Sequence, residues 1–129
     1  MKNVFKIVLI TIIAALTLVG CGTKTSSLTA TITQEDAKVG KYEVKKEIKF
    51  TNDAPSSAKV TNNFSSKKIA DSYYDLMSTL YANDDNTTVE KSGNKVIINQ
   101  KKITESYEYY GMSKSSVKET LKNTGWEVK

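Results

Sequence analysis

The chain has 129 residues, of which nineteen are lysine, fourteen are acidic and none is histidine, so its formal net charge is +5. There is no arginine, the residue that most often binds phosphate and guanine in a bidentate manner, and the composition therefore argues against nucleic-acid binding. The single cysteine excludes an internal disulfide, and the absence of histidine excludes a cysteine–histidine catalytic pair.

The N-terminal segment has the pattern of a secretory leader. Lys2 and Lys6 form a short basic region, and an apolar run extends from Ile7 to Val19. This run has about thirteen residues, whereas a transmembrane helix needs about 20. We therefore predict a signal peptide over residues 1–20.

The leader ends in Leu18-Val19-Gly20-Cys21, which resembles the lipobox of bacterial lipoproteins. The resemblance implies that a signal peptidase recognises Leu18, Val19 and Gly20, and that the Cys21 thiol receives a diacylglyceryl group. Cleavage before Cys21 would make it the new N-terminus, and two or three acyl chains would anchor it firmly in the cell membrane. The expected location is outside the cytoplasm, at the cell surface or in the periplasm. The alternative is an unpaired thiol in an uncleaved membrane anchor.

Strand-like alternation of apolar and polar residues begins at Leu28. We therefore assign residues 21–27 to the lipidated cysteine and a polar tether, and residues 28–129 to a single domain. Lys46 interrupts the apolar face of the second predicted strand, whose other face carries charges of alternating sign. Such a strand belongs to an antiparallel sheet with one solvated face, where charges usually pair across strands. The predicted strands here are 28–33, 41–50 and 58–64, with a turn over 52–57.

A switch to helical spacing follows, and then a hairpin. The predicted helix covers 65–83, capped by Ser65 or Ser66. Its apolar residues recur at three- and four-residue steps and form a stripe of Ile69, Tyr73, Leu76, Met77 and Leu80. The hairpin is expected over 87–100 with its turn at 92–94, and its second strand is extended to Ile103.

The C-terminal segment has clear signals for a second helix. Ser113 can cap it, and Met112 is placed to pack against Val117. Gly125 stands where a left-handed residue is needed to end the helix, and Trp126 can then fold back on Leu121. The predicted order is β-β-β-α-β-β-α, an α+β fold in which two helices pack on an antiparallel sheet of about five strands.

The lipobox, this order of elements and the closing sequence LKNTGWEVK resemble the YehR-like bacterial lipoproteins. Members of that family typically end in a helix followed by glycine, an aromatic residue and EVK or a similar sequence, represented here by Gly125, Trp126 and residues 127–129. The resemblance implies the α+β fold and the lipid anchor. It brings no catalytic residues with it, because the family has no assigned activity.

The sequence contains no constellation that indicates an enzyme, and we expect no catalytic residue, no cofactor and no metal. The segment NDDN at Asn83–Asn86 places two carboxylates and two amides together, which is chemistry that can hold calcium. The loop spacing of a calcium site is missing, however, so a plain turn is the preferred interpretation.

Tyrosine is the most suggestive residue type in the chain. Tyr107, Tyr109 and Tyr110 precede the last helix, and tyrosine combines a large apolar ring with a polar tip that suits interfaces. The preferred interpretation is a core role, and these three are kept as a candidate interaction surface. Contact with the membrane interface is the third alternative.

These observations predict a non-catalytic, lipid-anchored interaction domain that binds an envelope protein or an anionic polymer, through the sheet face or the tyrosine segment. The alternative function is a small inhibitor, or an immunity or exclusion lipoprotein that blocks an enzyme or a phage at the cell surface.

Overall fold

The computed structural model describes residues 24–129. The predicted leader, its recognition residues Leu18, Val19 and Gly20, and the lipidation site Cys21 lie outside the described residues. The elements in chain order are β1 (Thr25–Asp36), β2 (Gly40–Thr51), β3 (Ala54–Asn63), α1 (Lys67–Leu80), β4 (Thr87–Ser92), β5 (Lys95–Gln100), α2 (Lys114–Asn123) and β6 (Glu127–Val128).

All six described strands form one antiparallel sheet in the order β4-β5-β3-β2-β1-β6. The predicted α+β class is confirmed, and the sheet has one strand more than the predicted five. The additional strand, β6, is formed by the last residues of the chain, which pair with Ala30 and Thr31 of β1. Two residues carry too little pattern to reveal a strand before its partner is known.

The first strand begins earlier than the sequence indicates. β1 starts at Thr25, so the tether predicted through Ser27 ends at Lys24. The cause is pairing with β2, because the register joins Thr25 to Thr51 and Ser27 to Lys49. Backbone hydrogen bonds from a long neighbour order residues whose side chains are small, polar and exposed.

Strand register divides the side chains of the sheet into two faces. One face carries most of the apolar residues of the strands, including Leu28, Ile48, Ala58 and Val96, whereas Ile97 lies on the other. Both helices pack on this same face, and the opposite face is covered by neither of them. Side chains alternate between faces along a strand, so the period-two pattern of the sequence becomes one packed and one solvated surface.

α2 packs over the β1–β2 half of the sheet. Its Val117 and Leu121 are fully buried in one core cluster. Their partners on the sheet are Leu28, Ala30, Ile48 and Phe50. Ser113 caps the helix as predicted, since its side chain accepts a hydrogen bond from the Ser116 amide at 3.2 Å.

α1 packs over the β4–β5 half, where Ala70 is buried against Phe64 and Val96. Ser66 is the cap, and it accepts the Ile69 amide at 3.2 Å. The predicted stripe is wrong at one border, because Leu76 is 60% exposed and Leu80 is 64% exposed. The side of α1 that is buried is rotated about the helix axis, relative to the predicted stripe, by less than the angle between successive residues. Ala70, Tyr73 and Tyr74 therefore pack on the sheet. The small Ala70 permits close approach, and the Tyr73 ring then lies 5.1 Å from that of Phe64.

The turn between β2 and β3 contains two consecutive left-handed residues that are not glycine. Asn52 has φ 52° and Asp53 has φ 65°, as a tight two-residue hairpin turn requires. The predicted turn over 52–57 is therefore too long, and Pro55 instead lies buried inside β3 beside a register shift at Lys49/Phe50. A bulge tolerates proline because it interrupts the ladder of backbone hydrogen bonds.

The second helix ends as the sequence predicts. Gly125 has φ 97°, its amide donates to the Lys122 carbonyl at 3.1 Å, and the Trp126 amide donates to the Leu121 carbonyl at 3.0 Å. This pair of bonds is the Schellman motif. Trp126 packs against the cluster that contains Leu121, and the chain continues directly into β6.

β5 ends at Gln100, so the predicted extension to Ile103 is wrong, and residues 101–112 form turns that lead into α2. Asn86 fixes the start of this segment through two bonds with the Lys102 backbone, each 2.8 or 2.9 Å long. No helix within residues 24–129 has the length and apolarity that crossing a bilayer requires.

Candidate interaction surfaces

The sheet face opposite the helices is a candidate interaction surface, because neither helix packs on it. We call it the open face. It comprises the odd-numbered residues of β1 and β2, such as Thr31 and Lys45, and the residues in register with them on the other strands. In the strands that the structure describes, every side chain on this face is exposed or half-buried.

Lysines and glutamates are equally numerous on the open face. There are five of each: the glutamates are Glu35, Glu43, Glu47, Glu90 and Glu127, and the lysines are Lys41, Lys45, Lys49, Lys59 and Lys95. Most charges of β2 face threonine, serine or asparagine across the strands rather than an opposite charge: Lys45, for example, lies between Thr31 and Thr61. Two pairs of opposite charge face each other across the strands of this face, Lys41 with Glu35 and Lys59 with Glu47. The nitrogen and oxygen of Lys59 and Glu47 are 3.9 Å apart.

A shallow depression of about 310 Å³ lies where the open face meets the β1 edge. Its lining includes the two carboxylates Glu43 and Glu127, the backbone of Gly125, and the intervening β1 residues from Thr31 to Thr33. Sequence reasoning missed this feature because it exists only once β6 has paired with β1. No local pattern places residue 127 beside residue 31.

Lys46 lies on the helix-covered face, where the sequence shows an interruption of the apolar pattern. Its ammonium group is 3.0 Å from the Glu108 carboxylate, 4.9 Å from the centroid of the Trp126 ring and 5.3 Å from that of Tyr109. The side chain is 18% exposed. Lys46 therefore ties the segment before α2 and the C-terminal tryptophan to the middle of the sheet, which is a structural role.

The three candidate tyrosines do not form one surface. Tyr109 is 6% exposed and belongs to the core, Tyr107 is half-buried against the same core, and Tyr110 is 53% exposed. The rings of Tyr107 and Tyr109 meet edge to face, with centroids 5.5 Å apart. Only Tyr110 is available to a partner, because the turns before α2 direct the other two rings onto the sheet.

Burial changes the titration of the inner tyrosines. It raises the pKa of Tyr107 well above its ordinary value, with a further contribution from the nearby Glu108 carboxylate, and it also raises the pKa of Tyr109. The folded state therefore favours the protonated phenols. Their stabilising contribution is complete below the unfolded pKa of about 10 and is lost as the pH rises toward the folded pKa.

We expect the free energy of unfolding to fall steeply above pH 10, and Tyr107→Phe to remove part of that fall. One group contributes a slope of at most about 1.4 kcal/mol per pH unit. Urea unfolding followed by circular dichroism between pH 8 and about 11.5 measures the slope, with the exposed Tyr110→Phe as the matched control. Equal slopes for the wild type and Tyr107→Phe would contradict the assignment.

The NDDN segment forms the plain turn. One Asp84 carboxylate oxygen accepts the Asn86 amide at 2.8 Å, and the other accepts the Thr87 hydroxyl at 2.9 Å. Both oxygens are thus engaged within the turn itself. Across residues 24–129, no three acidic or cysteine side chains are grouped in a way that could hold a metal ion.

Asp71 of α1 joins the helix to the edge of the sheet. Its carboxylate lies 2.8 Å from the Lys91 ammonium and 3.0 Å from that of Lys67. The hydrogen bond from Lys91 lowers the pKa of the Asp71 carboxyl most, and the one from Lys67 lowers it further. Lys91 also lies over the Tyr74 ring at 5.1 Å, so this group orients α1 on β4.

Comparison with known proteins found no matching family model, no matching curated protein and no matching solved structure. The resemblance to the YehR-like lipoproteins therefore stays a prediction.

Proposed function

We propose that this protein is a non-catalytic interaction domain, anchored by lipid at Cys21 outside the cytoplasm, which binds an envelope protein through its open face. The observation that carries the proposal is the arrangement of both helices on one side of the sheet. That arrangement leaves a broad, polar face of long strands uncovered by them.

The charge pattern favours a protein over an anionic polymer as the partner. A polyanion is attracted by an excess of positive charge, whereas this face carries equal numbers of lysines and glutamates at fixed spacings. Glu43 and Lys45 have uncharged cross-strand neighbours in β1 and β3, so their charges are not neutralised within the sheet. Complementary charge at fixed positions provides specificity for a folded partner.

Exchanging the two charges, Glu43→Lys with Lys45→Glu, is expected to reduce partner capture about tenfold, because like charges would then meet across the interface. The net charge is unchanged and no ion pair among the described residues is broken. The measurement is photo-crosslinking in intact cells from a probe at Thr61, followed by mass spectrometry.

The matched control is Lys118→Glu with Glu119→Lys on the exposed side of α2. It is expected to leave the yield of the adduct unchanged. Equal yields from both exchange variants would remove the open face as the binding surface. An inhibitor or exclusion protein, the alternative function, would in addition protect a naive host when expressed alone.

The anchor is tested separately with Cys21→Ser. We expect this variant to retain its leader and to lack the added diacylglyceryl mass. Processing and membrane retention identical to those of the wild type would contradict lipidation.

A further inference from the structure

We propose that the end of the fold that carries the β2–β3 turn rests on the lipid headgroups, so that the open face stands upright on the membrane. We call this end the lower end; it comprises the start of β1, the turn at Asn52–Asp53 and the first turn of α2. The inference rests on the lipid anchor at Cys21 proposed above.

The free tether between the anchor and the fold is very short. Lys24 is already held in register with β2, because the Asn52 amide donates to the Lys24 carbonyl at 2.8 Å and the Lys24 amide donates to the Asn52 side chain at 3.1 Å. Only Gly22 and Thr23 separate Cys21 from this ordered position. Three extended residues span at most about 11 Å, so the lower end cannot move away from the headgroups.

The turn beside Lys24 is fastened by side-chain hydrogen bonds to two other elements. Asn52 and Asp53 both hold left-handed backbone conformations that glycine would adopt more easily. Each uses its side chain to fasten another element: Asn52 binds Lys24, and Asp53 accepts the Lys114 amide at the start of α2 at 3.1 Å. The turn thereby fixes Lys24 relative to both the sheet and the helix.

The direction in which the chain enters the fold at Lys24 sets the orientation of the domain. Because Lys24 continues the pairing of β1 with β2, the chain enters the fold along the strand axis. β1 and β2 have twelve residues each, a length of about 40 Å, and they are joined at the far end by the turn at 37–39. An upright domain therefore places that turn about 40 Å above the lower end.

The residues of the lower end can contact a lipid surface whether or not its headgroups carry a net charge. Lys24 is hydrogen-bonded to Asn52 and Lys114 to Asp53, so charges of both signs are present at this end. The exposed Tyr110 comes shortly before α2, and an amphipathic ring of this kind is well suited to the headgroup layer. We therefore expect the contact to be the same on neutral and anionic membranes.

This orientation limits the proteins that can bind the open face to those near the membrane. The open face then occupies the layer that begins at the headgroups and extends about 50 Å outward, the sum of tether and strand length. Its partner is accordingly the extracytoplasmic part of a protein that is itself embedded in or anchored to the membrane.

The test uses the full lipidated protein in phosphatidylcholine vesicles that contain nitroxide-labelled headgroups. Since the Cys21 thiol is blocked by lipid, an introduced cysteine is the only free thiol and takes a fluorophore cleanly. Ser115→Cys labels the lower end and Lys38→Cys labels the opposite turn, both at exposed positions. We expect at least threefold stronger quenching at 115 than at 38, unchanged by phosphatidylglycerol or by 0.5 M salt, since charge does not set the contact.

A second variant examines the tether. Inserting twelve glycine and serine residues after Gly22 adds about 20 Å of average reach and is expected to reduce quenching at 115 to the level at 38. Equal quenching at both positions of the natural chain, or stronger quenching at 38, would overturn the upright orientation. Quenching that survives the insertion would overturn the tether as its cause. Failure of the anchor is distinguished beforehand, as mass spectrometry would then find no lipid on Cys21.

Discussion

Leu121→Ala is expected to lower the free energy of unfolding by about 2–5 kcal/mol. Leu121 is completely buried between α2 and the β1–β2 half of the sheet, so truncation removes apolar contacts and leaves a cavity. A domain of this size has a total stability of only about 5–15 kcal/mol, so the variant should lose a large share of it. Urea unfolding at neutral pH, followed by circular dichroism, gives the difference.

The control is the same substitution at Leu80 of α1, which the spacing of the sequence assigns to an apolar stripe in the same way. Leu80 is 64% exposed, and its replacement by alanine should change the free energy of unfolding by no more than about 0.5 kcal/mol. Comparable losses for the two variants would mean that α1 packs on the side first predicted. The pair therefore tests the orientation of a helix with a single chemical change.

Trp126→Ala is expected to cost about 2–3 kcal/mol, less than a fully buried tryptophan because the ring is only half-buried. The ring packs against the cluster that contains Leu121 and lies 4.9 Å below the Lys46 ammonium. Its loss removes apolar contact and a cation–π interaction, and it loosens the entry of the chain into β6. Thermal and urea unfolding should be followed by circular dichroism, because Trp126 is the only tryptophan in the chain and the variant has no tryptophan fluorescence to follow.

Trp126→Phe is the matched variant. It retains an aromatic ring for Lys46 and the backbone bonds that end α2, so its cost should be about 1 kcal/mol. If alanine and phenylalanine had equal effects, the ring would not contribute through these contacts. A loss below about 1 kcal/mol for alanine would show that the C-terminal segment is held by its backbone alone.

The features predicted correctly are those decided by neighbouring residues. Ser66 and Ser113 cap helices because each side chain reaches an amide only three residues ahead. Gly125 ends α2 because only glycine adopts its positive φ without strain, and Trp126 follows it into the expected backbone bond. Interactions of this range are contained in a short window of sequence, so a local pattern is sufficient to recognise them.

The features that the sequence left open or predicted wrongly are those in which two distant segments meet. Tyr109 looks equivalent to Tyr110 in the sequence, yet its ring enters the core beside Lys46 because the turns before α2 direct it there. Leu76 and Leu80 fit the predicted stripe better than Tyr74 does, yet Tyr74 packs on the core and the two leucines are exposed, because the contacts that the sheet offers decide which side of α1 is buried. The candidate tyrosine surface is thereby reduced to one residue, and the binding proposal moves to the open face.

The sequence by itself determined the α+β class, the positions of both helices and the solvated face of β2. The apolar periods of 2 and 3.6 residues and the helix caps that reveal these features are local properties. The sequence also predicts the lipobox and the lipidation of Cys21, because that pattern consists of consecutive residues and does not depend on folding. Only the tertiary structure decided that both helices share one face, that β6 closes the edge of β1, and that Lys24 is clamped to Asn52. These contacts join residues far apart in the chain, and their free energy depends on docking geometry that no short segment contains.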